Sequence, residues 1–109
     1  ALTSFASRHY HEQGLGTLHT YSIDYVDNDK HFKSSAFQPN ADAPWIKRMT
    51  DYLGTVHHAL EFDTPELVES LKSVVYARDL PGMADVDGSL YLFCREIKKD
   101  ATVAISGEA

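Results

Sequence analysis

Ser106-Gly107-Glu108 holds the residue types with the most direct chemistry in this chain. They follow Thr102-Val103-Ala104-Ile105, a short β-branched run that reads as a buried strand of a parallel sheet. In open α/β sheets, ligands bind beyond the carboxyl ends of the strands. At that edge Glu108 would present a carboxylate, and Gly107 would let a phosphate approach the backbone. The same tripeptide also makes an ordinary strand-to-loop turn, and residue types alone leave both readings open.

Histidines are the next candidates. His57-His58 and His9-x-His11 are metal-ligand residue types. Adjacent side chains on a strand point to opposite faces, so His57 and His58 do not hold one ion. Residues two apart on a helix do not share a face, which separates His9 from His11. Surface or packing roles are expected for all four, and no metal ligand is assigned. Cys94 is the only cysteine, so an intrachain disulfide is excluded. It falls on the apolar stripe of a helix and reads as a buried, inert thiol. Arg78-Asp79 and Asp85-x-Asp87 gather around a Pro-Gly break, where they either cap the next helix or line a pocket. The sequence holds no glycine-rich phosphate loop, Cys-x-x-Cys or nucleophile elbow.

Seven elements would position these residues. Residues 2–13 read as a helix with Leu2, Phe5, Ala6 and His9 on one face and Gly14 as its stop. Thr17 to Tyr25 is rich in Thr, Tyr and Ile and reads as a strand. Asp27 to Ala43 is polar and turn-rich and reads as a long loop. Asp42 would cap a helix starting near Pro44, with Trp45, Ile46, Met49 and Leu53 as its buried stripe and Gly54 as its end. Val56, His58, Leu60 and Phe62 alternate, which predicts a strand from Thr55 to Phe62. Thr64-Pro65 starts a helix, with the hydroxyl at the N-cap. Asp79-Leu80-Pro81-Gly82 breaks it. A last helix over 87–98 would bury Leu90, Phe93, Cys94 and Ile97, with Lys98 and Lys99 at its cation-favouring end. The final strand is Thr102–Ile105. Strands alternating with helices imply right-handed crossovers and a parallel α/β sheet.

Composition sets outer bounds. The 109 residues allow one domain at most, burying roughly 65% of its unfolded surface. A formal net charge of -6 argues against a nucleic-acid or anionic-membrane surface. It leaves room for a nucleotide, because a helix N-terminus and one Mg²⁺ neutralise a triphosphate locally. One cysteine, no apolar run near the ~18 residues of a membrane span and no visible signal peptide suit a cytoplasmic protein. The chain opens with Ala1 inside a helix, so both ends read as cut points in a longer protein.

Asp51-Tyr52-Leu53-Gly54-Thr55-Val56-His57-His58 and Val103-Ala104-Ile105-Ser106-Gly107-Glu108 together resemble the synthetase domain of the glutamine-hydrolysing asparagine synthetases. That family has a Leu-Gly-Thr-x-His-His segment entering a strand and a Leu-Ser-Gly-Glu segment ending a later one. Leu18-His19-Thr20-Tyr21-Ser22-Ile23 is similar to the family's Leu-His-Ser-Phe-Ala-Val strand. The resemblance runs in order over most of the chain.

The resemblance implies a three-layer α/β/α, Rossmann-like fold of the adenine nucleotide α-hydrolase type, present here as a truncated piece of the ATP-pyrophosphatase domain. It implies Mg²⁺ and ATP activating aspartate as a β-aspartyl-adenylate. Ammonia from glutamine, released by a glutaminase domain of the same parent chain, then displaces AMP. In the matching positions Ile23 would hold adenine through its backbone. Ser106 and Gly107 would line the nucleotide and pyrophosphate region. Glu108 would sit beside aspartate and the attacking ammonia, organising or deprotonating it. Where many members carry Ala-Ser-Thr-Pro, this chain has Asp87-Gly88-Ser89-Leu90, so Asp85, Asp87 and Ser89 are the candidates to replace those contacts.

The family's Ser-Gly-Gly-x-Asp-Ser loop would precede Ala1, and its Asp-Glu pair would follow Ala109. The piece alone is therefore expected to be inactive. It is also expected to pair Leu18–Tyr25 directly with Thr102–Ile105, or to self-associate through the open strand edges. Two other readings fit the same residues: a non-catalytic Rossmann-like binding module, and a relative of the β-lactam-forming synthetases.

Overall fold

A computed structural model of the chain describes residues 1–27, 33 and 42–107, with the backbone but not the side chain of Asp85. Four helices and two strands form among them. Helix α1 spans Leu2–Gln13 and stops at Gly14, whose φ of 62° gives the left-handed turn. There the Gly14 N–H donates to His11 O and the Leu15 N–H to Tyr10 O, which satisfies two terminal carbonyls. Strand β1 spans His19–Tyr25 and helix α2 spans Ala43–Leu53. Gly54 ends α2 in the same way, with φ 64°. Strand β2 spans Val56–Phe62, helix α3 Thr64–Arg78 and helix α4 Ala84–Ile97. The expected loop after Asp27 lies almost wholly outside the described residues.

The strands pair side by side. Val56 N–H donates to Leu18 O at 3.0 Å, and Val26 N–H donates to Phe62 O at 3.1 Å. Both strands advance in the same direction between those bonds, so the pair is parallel. The chain divides into two compact units. One holds α1, β1 up to Ser22, α2 and β2 up to Ala59. None of its described residues is buried. Within it, Ser7 Oγ donates to Leu53 O, tying α1 to the end of α2. Of the expected α2 stripe, Ile46 and Leu53 are half-buried. Trp45 is 57% exposed, with the Arg48 guanidinium 5.0 Å from its ring centroid.

The other unit holds the end of β1 and everything from Leu60 onward. Its core is Phe62, Val74, Leu92 and Ile97. Helices α3 and α4 pack against each other. A Cβ on Gly88 would lie 3.3 Å from Ser70 Oγ and 3.6 Å from Leu67 O, so the glycine allows close helix approach.

Several sequence expectations change here. The cap of α3 is Asp63, not Thr64: its carboxylate accepts from the Glu66 N–H, and Glu66 reaches back to the Asp63 N–H. This capping box satisfies two terminal donors and stabilises the helix by about 1 kcal/mol. Asp42 stands at the N-cap of α2 but makes no side-chain cap bond. Helix α4 starts at Ala84 and not at 87. Its innermost face is Asp87, Gly88, Ser89, Leu92 and Ile97, while Leu90 and Cys94 are exposed. Cys94 is therefore not a buried thiol.

The largest correction concerns Thr102–Ile105, which forms no strand. Val103 and Ile105 are 76% and 77% exposed. A strand needs a neighbour for its N–H and C=O groups, and among the described residues the sheet holds only β1 and β2. The expected direct pairing of Leu18–Tyr25 with Thr102–Ile105 is thus absent among the described residues. No helix of the described residues is long and apolar enough to cross a membrane.

Candidate functional site

Parallel register decides what Ile23 can do. Leu18 O and Val26 N–H both point to β2. Backbone groups alternate sides along a strand, so those of the even-numbered residues face β2. The N–H and C=O of Ile23 consequently face the other edge of β1. No third strand joins that edge among the described residues. A planar base carrying adjacent donor and acceptor atoms fits such an edge, so the strand is compatible with a backbone-read adenine.

The two faces of the strand pair separate the histidines. His57 Nδ1 lies 3.0 Å from Thr20 Oγ1, and His57 Nε2 lies 2.9 Å from Ser22 Oγ. Thr20 Oγ1 also meets Thr55 Oγ1 at 3.3 Å. On the opposite face His58 Nε2 lies 2.9 Å from His19 Nδ1. The His58 ring stacks on Tyr21, with centroids 4.7 Å apart. His57 and His58 therefore point apart, as strand alternation requires, and each is engaged by its neighbours. Sequence reasoning missed the Thr20–His57–Ser22 bridge. Its only signal was polar residues at alternate positions of one strand facing a histidine on the next.

Desolvation by partial burial, and then the nearby His58, hold the His57 imidazole below its ordinary value of 6.5. The folded chain thus binds this proton more weakly than the unfolded chain. The stability that neutral His57 contributes is complete above about pH 6.5 and is lost as pH falls through the lower folded value. We predict that the urea midpoint drops between about pH 7.5 and about pH 5, and that His57→Gln flattens part of that drop. An unchanged slope in the variant would show that His57 is not the titrating group.

Helix α4 carries the candidates for the amino-acid side. Asp85, Asp87 and Ser89 all fall within its first two turns. The Asp87 side chain is 9% exposed, and Arg78 Nη1 donates to its Oδ1. Its Oδ2 is buried with no hydrogen-bond partner among the described residues. Ser89 is buried, and its Oγ donates to Val86 O at 2.9 Å. The charged cluster around the Pro-Gly break is thus a cross-link: Arg78 ends α3 and meets Asp87 at the start of α4. Opposite charges on both sides of a helix break were the signal for it.

Ser106 and Gly107 follow α4 in an exposed segment. A Cβ on Gly107 would meet nothing within 4 Å, so its backbone is open to approach. Glu108 lies outside the described residues. Among the described residues, no three His, Cys, Asp or Glu side chains gather as a metal site.

Two parallel strands, with helix α2 between them in sequence and further helices before and after, make this a small α/β chain. The family model described as asparagine synthase matches residues 1–109. Asparagine synthetase 3 (glutamine-hydrolyzing) of Bacillus subtilis (strain 168) is 56% identical over 108 residues, covering 99% of this chain and 18% of that protein. Asparagine synthetase 2 (glutamine-hydrolyzing) of Oryza sativa subsp. japonica is 29% identical over 115 residues, covering 98% of this chain and 17% of that protein. The asparagine synthetase (glutamine-hydrolyzing) of Zea mays is likewise 29% identical over 115 residues, covering 98% of this chain and 18% of that protein. No solved structure matches. The chain belongs to the asparagine synthase family. It spans about a fifth of the length of the curated relatives it matches.

Proposed function

We propose that this chain is part of the ATP-pyrophosphatase domain of a cytoplasmic ligase that makes asparagine. The supporting observation is the family match over every residue, joined to 56% identity with a protein named as a glutamine-hydrolyzing asparagine synthetase. The substrates are aspartate, ATP and glutamine, and a glutaminase domain of the same parent chain supplies the ammonia. The side-chain carboxylate of aspartate attacks the α-phosphate of ATP, releasing pyrophosphate and forming a β-aspartyl-adenylate. Ammonia attacks the acyl carbon, and AMP leaves with the bonding pair. Mg²⁺ would supply charge neutralisation for the triphosphate; no described residue is assigned to hold it.

Within this reading, each residue has one task. Ile23 reads adenine through backbone groups at the outer edge of β1. Ser106 and Gly107 line the nucleotide and pyrophosphate region, where the open backbone of Gly107 admits an oxyanion. Glu108 accepts a proton from the attacking ammonia. Asp85, Asp87 and Ser89 form the amino-acid side at the start of α4. The three-layer sheet is completed by residues beyond this sequence.

The test is aspartate-dependent pyrophosphate release by the complete protein with Mg·ATP and glutamine. Release with asparagine formed supports the ligase. Release with an acyl acceptor other than ammonia points to a β-lactam-forming type of relative. No release with aspartate points to a binding module. The 109-residue segment alone should show no release. It should also self-associate through the outer edge of β1, which no third strand joins among the described residues. Light scattering that gives a monomer at all concentrations would refute the edge as an assembly surface.

A further inference from the structure

Arg78 and Asp87 face each other across the break between α3 and α4. Arg78 lies in the last turn of α3, and Asp87 follows the Pro-Gly turn in the first turn of α4. Asp79 ends α3 with φ 62°, a left-handed conformation uncommon outside glycine. The chain then turns through Leu80-Pro81-Gly82 and comes back over the carboxylate. A Cβ on Gly82 would lie 2.1 Å from Asp87 Oδ2 and 2.9 Å from Arg78 Nη1. One carboxylate oxygen thus takes the guanidinium, and the other is covered by the Gly82 backbone.

This is a costly way to join two helices. A buried carboxylate needs its partners, and apolar side chains of similar volume hold helices together without that cost. The helices already meet closely where Gly88 packs on Ser70. What the charged pair adds is a fixed geometry for the turn over 79–83. That turn feeds directly into the first turn of α4, where Asp85 stands. The pair also neutralises Asp87 there. An uncompensated carboxylate at that point would repel the two carboxylates of an incoming aspartate.

We propose that Arg78, Asp87 and Gly82 form a clasp that sets the turn over 79–83 and the start of α4 for the amino-acid substrate. Asp87 is then a positioning residue paired with Arg78, in place of the direct contact with aspartate that the resemblance offers for it. This inference rests on the asparagine-forming reading. It predicts a specific kinetic split. The clasp governs the amino-acid side at α4, whereas the adenine edge lies on β1. Aspartate KM should therefore move and ATP KM should not.

The experiment uses the complete protein, wild type and with Arg78→Gln, Arg78→Lys or Asp87→Asn. Arg78→Gln and Asp87→Asn should raise aspartate KM about tenfold and leave ATP KM within about twofold. Arg78→Lys, which keeps the charge but loses the planar fork, should recover part of the loss. Amide hydrogen exchange is read on the same proteins. The clasp requires faster exchange over residues 80–86 in Arg78→Gln. Active variants with unchanged aspartate KM and unchanged exchange overturn the clasp. Equal losses for aspartate and ATP overturn its role at the amino-acid side. Faster exchange over 80–86 with no asparagine formed even by the wild type keeps the clasp and overturns the ligase reading.

Discussion

Glu108→Gln in the complete protein should slow asparagine formation by at least about 100-fold, the usual cost of removing a positioned acid or base. Gln keeps the shape and the hydrogen-bonding length of Glu but cannot take a proton. Ammonia that adds to an acyl carbon carries a positive charge, and that proton must leave before the amide is stable. A carboxylate beside the nitrogen accepts it. Pyrophosphate followed in the same reaction sharpens the test. If Glu108 serves only the ammonia step, adenylate still forms, and the variant releases about one equivalent of pyrophosphate before stalling. If the burst disappears as well, Glu108 also acts while aspartate attacks ATP. An unchanged rate of asparagine formation would keep the family assignment and remove Glu108 from the mechanism.

How far the chain could be read beforehand depends on which force decides each feature. Helix ends at Gly14 and Gly54 were legible, because only glycine takes left-handed backbone without strain, and both adopt it. The strands β1 and β2 were legible from β-branched and aromatic content and from alternation. The α3 cap was misplaced by one residue. Asp63 and Thr64 are both good caps, and the deciding signal was Glu66, three residues after Asp63. The inner face of α4 was misjudged for a different reason. Hydrophobic spacing favoured Leu90, Phe93 and Cys94, yet the helix turns Gly88 towards α3 and buries Ser89. Close helix packing selects small residues, and an apolar pattern does not register them. Thr102–Ile105 has strand composition, but composition cannot supply the neighbour that a strand requires. Of the site residues, the structure describes the settings of Ile23, Asp87, Ser89, Ser106 and Gly107. The pairing of Asp87 with Arg78 was hidden because residues nine apart meet only once the break is folded.

Gly82→Ala should destabilise the protein by about 2 kcal/mol, and competing terms fix that sign. The backbone of Gly82 is not left-handed, so alanine is not strained there by φ. Replacing glycine at such a site normally gains about 0.4–1 kcal/mol, because the unfolded chain loses freedom. The added methyl, however, would stand 2.1 Å from Asp87 Oδ2. Something must move. Arg78 is 54% exposed and can swing into water, but Asp87 is 9% exposed and has nowhere to go. If Arg78 leaves, a buried carboxylate loses its partner at a cost of about 3 kcal/mol or more, which exceeds the entropic gain. A double-mutant cycle isolates the cause. In an Asp87→Ala background the carboxylate clash is gone and the exposed Arg78, no longer held, can swing away, so adding Gly82→Ala should be neutral or stabilising by about 0.5 kcal/mol. Urea unfolding of the four proteins measures it. Equal destabilisation in both backgrounds would place the cost elsewhere than at the carboxylate, and would remove Gly82 from the clasp.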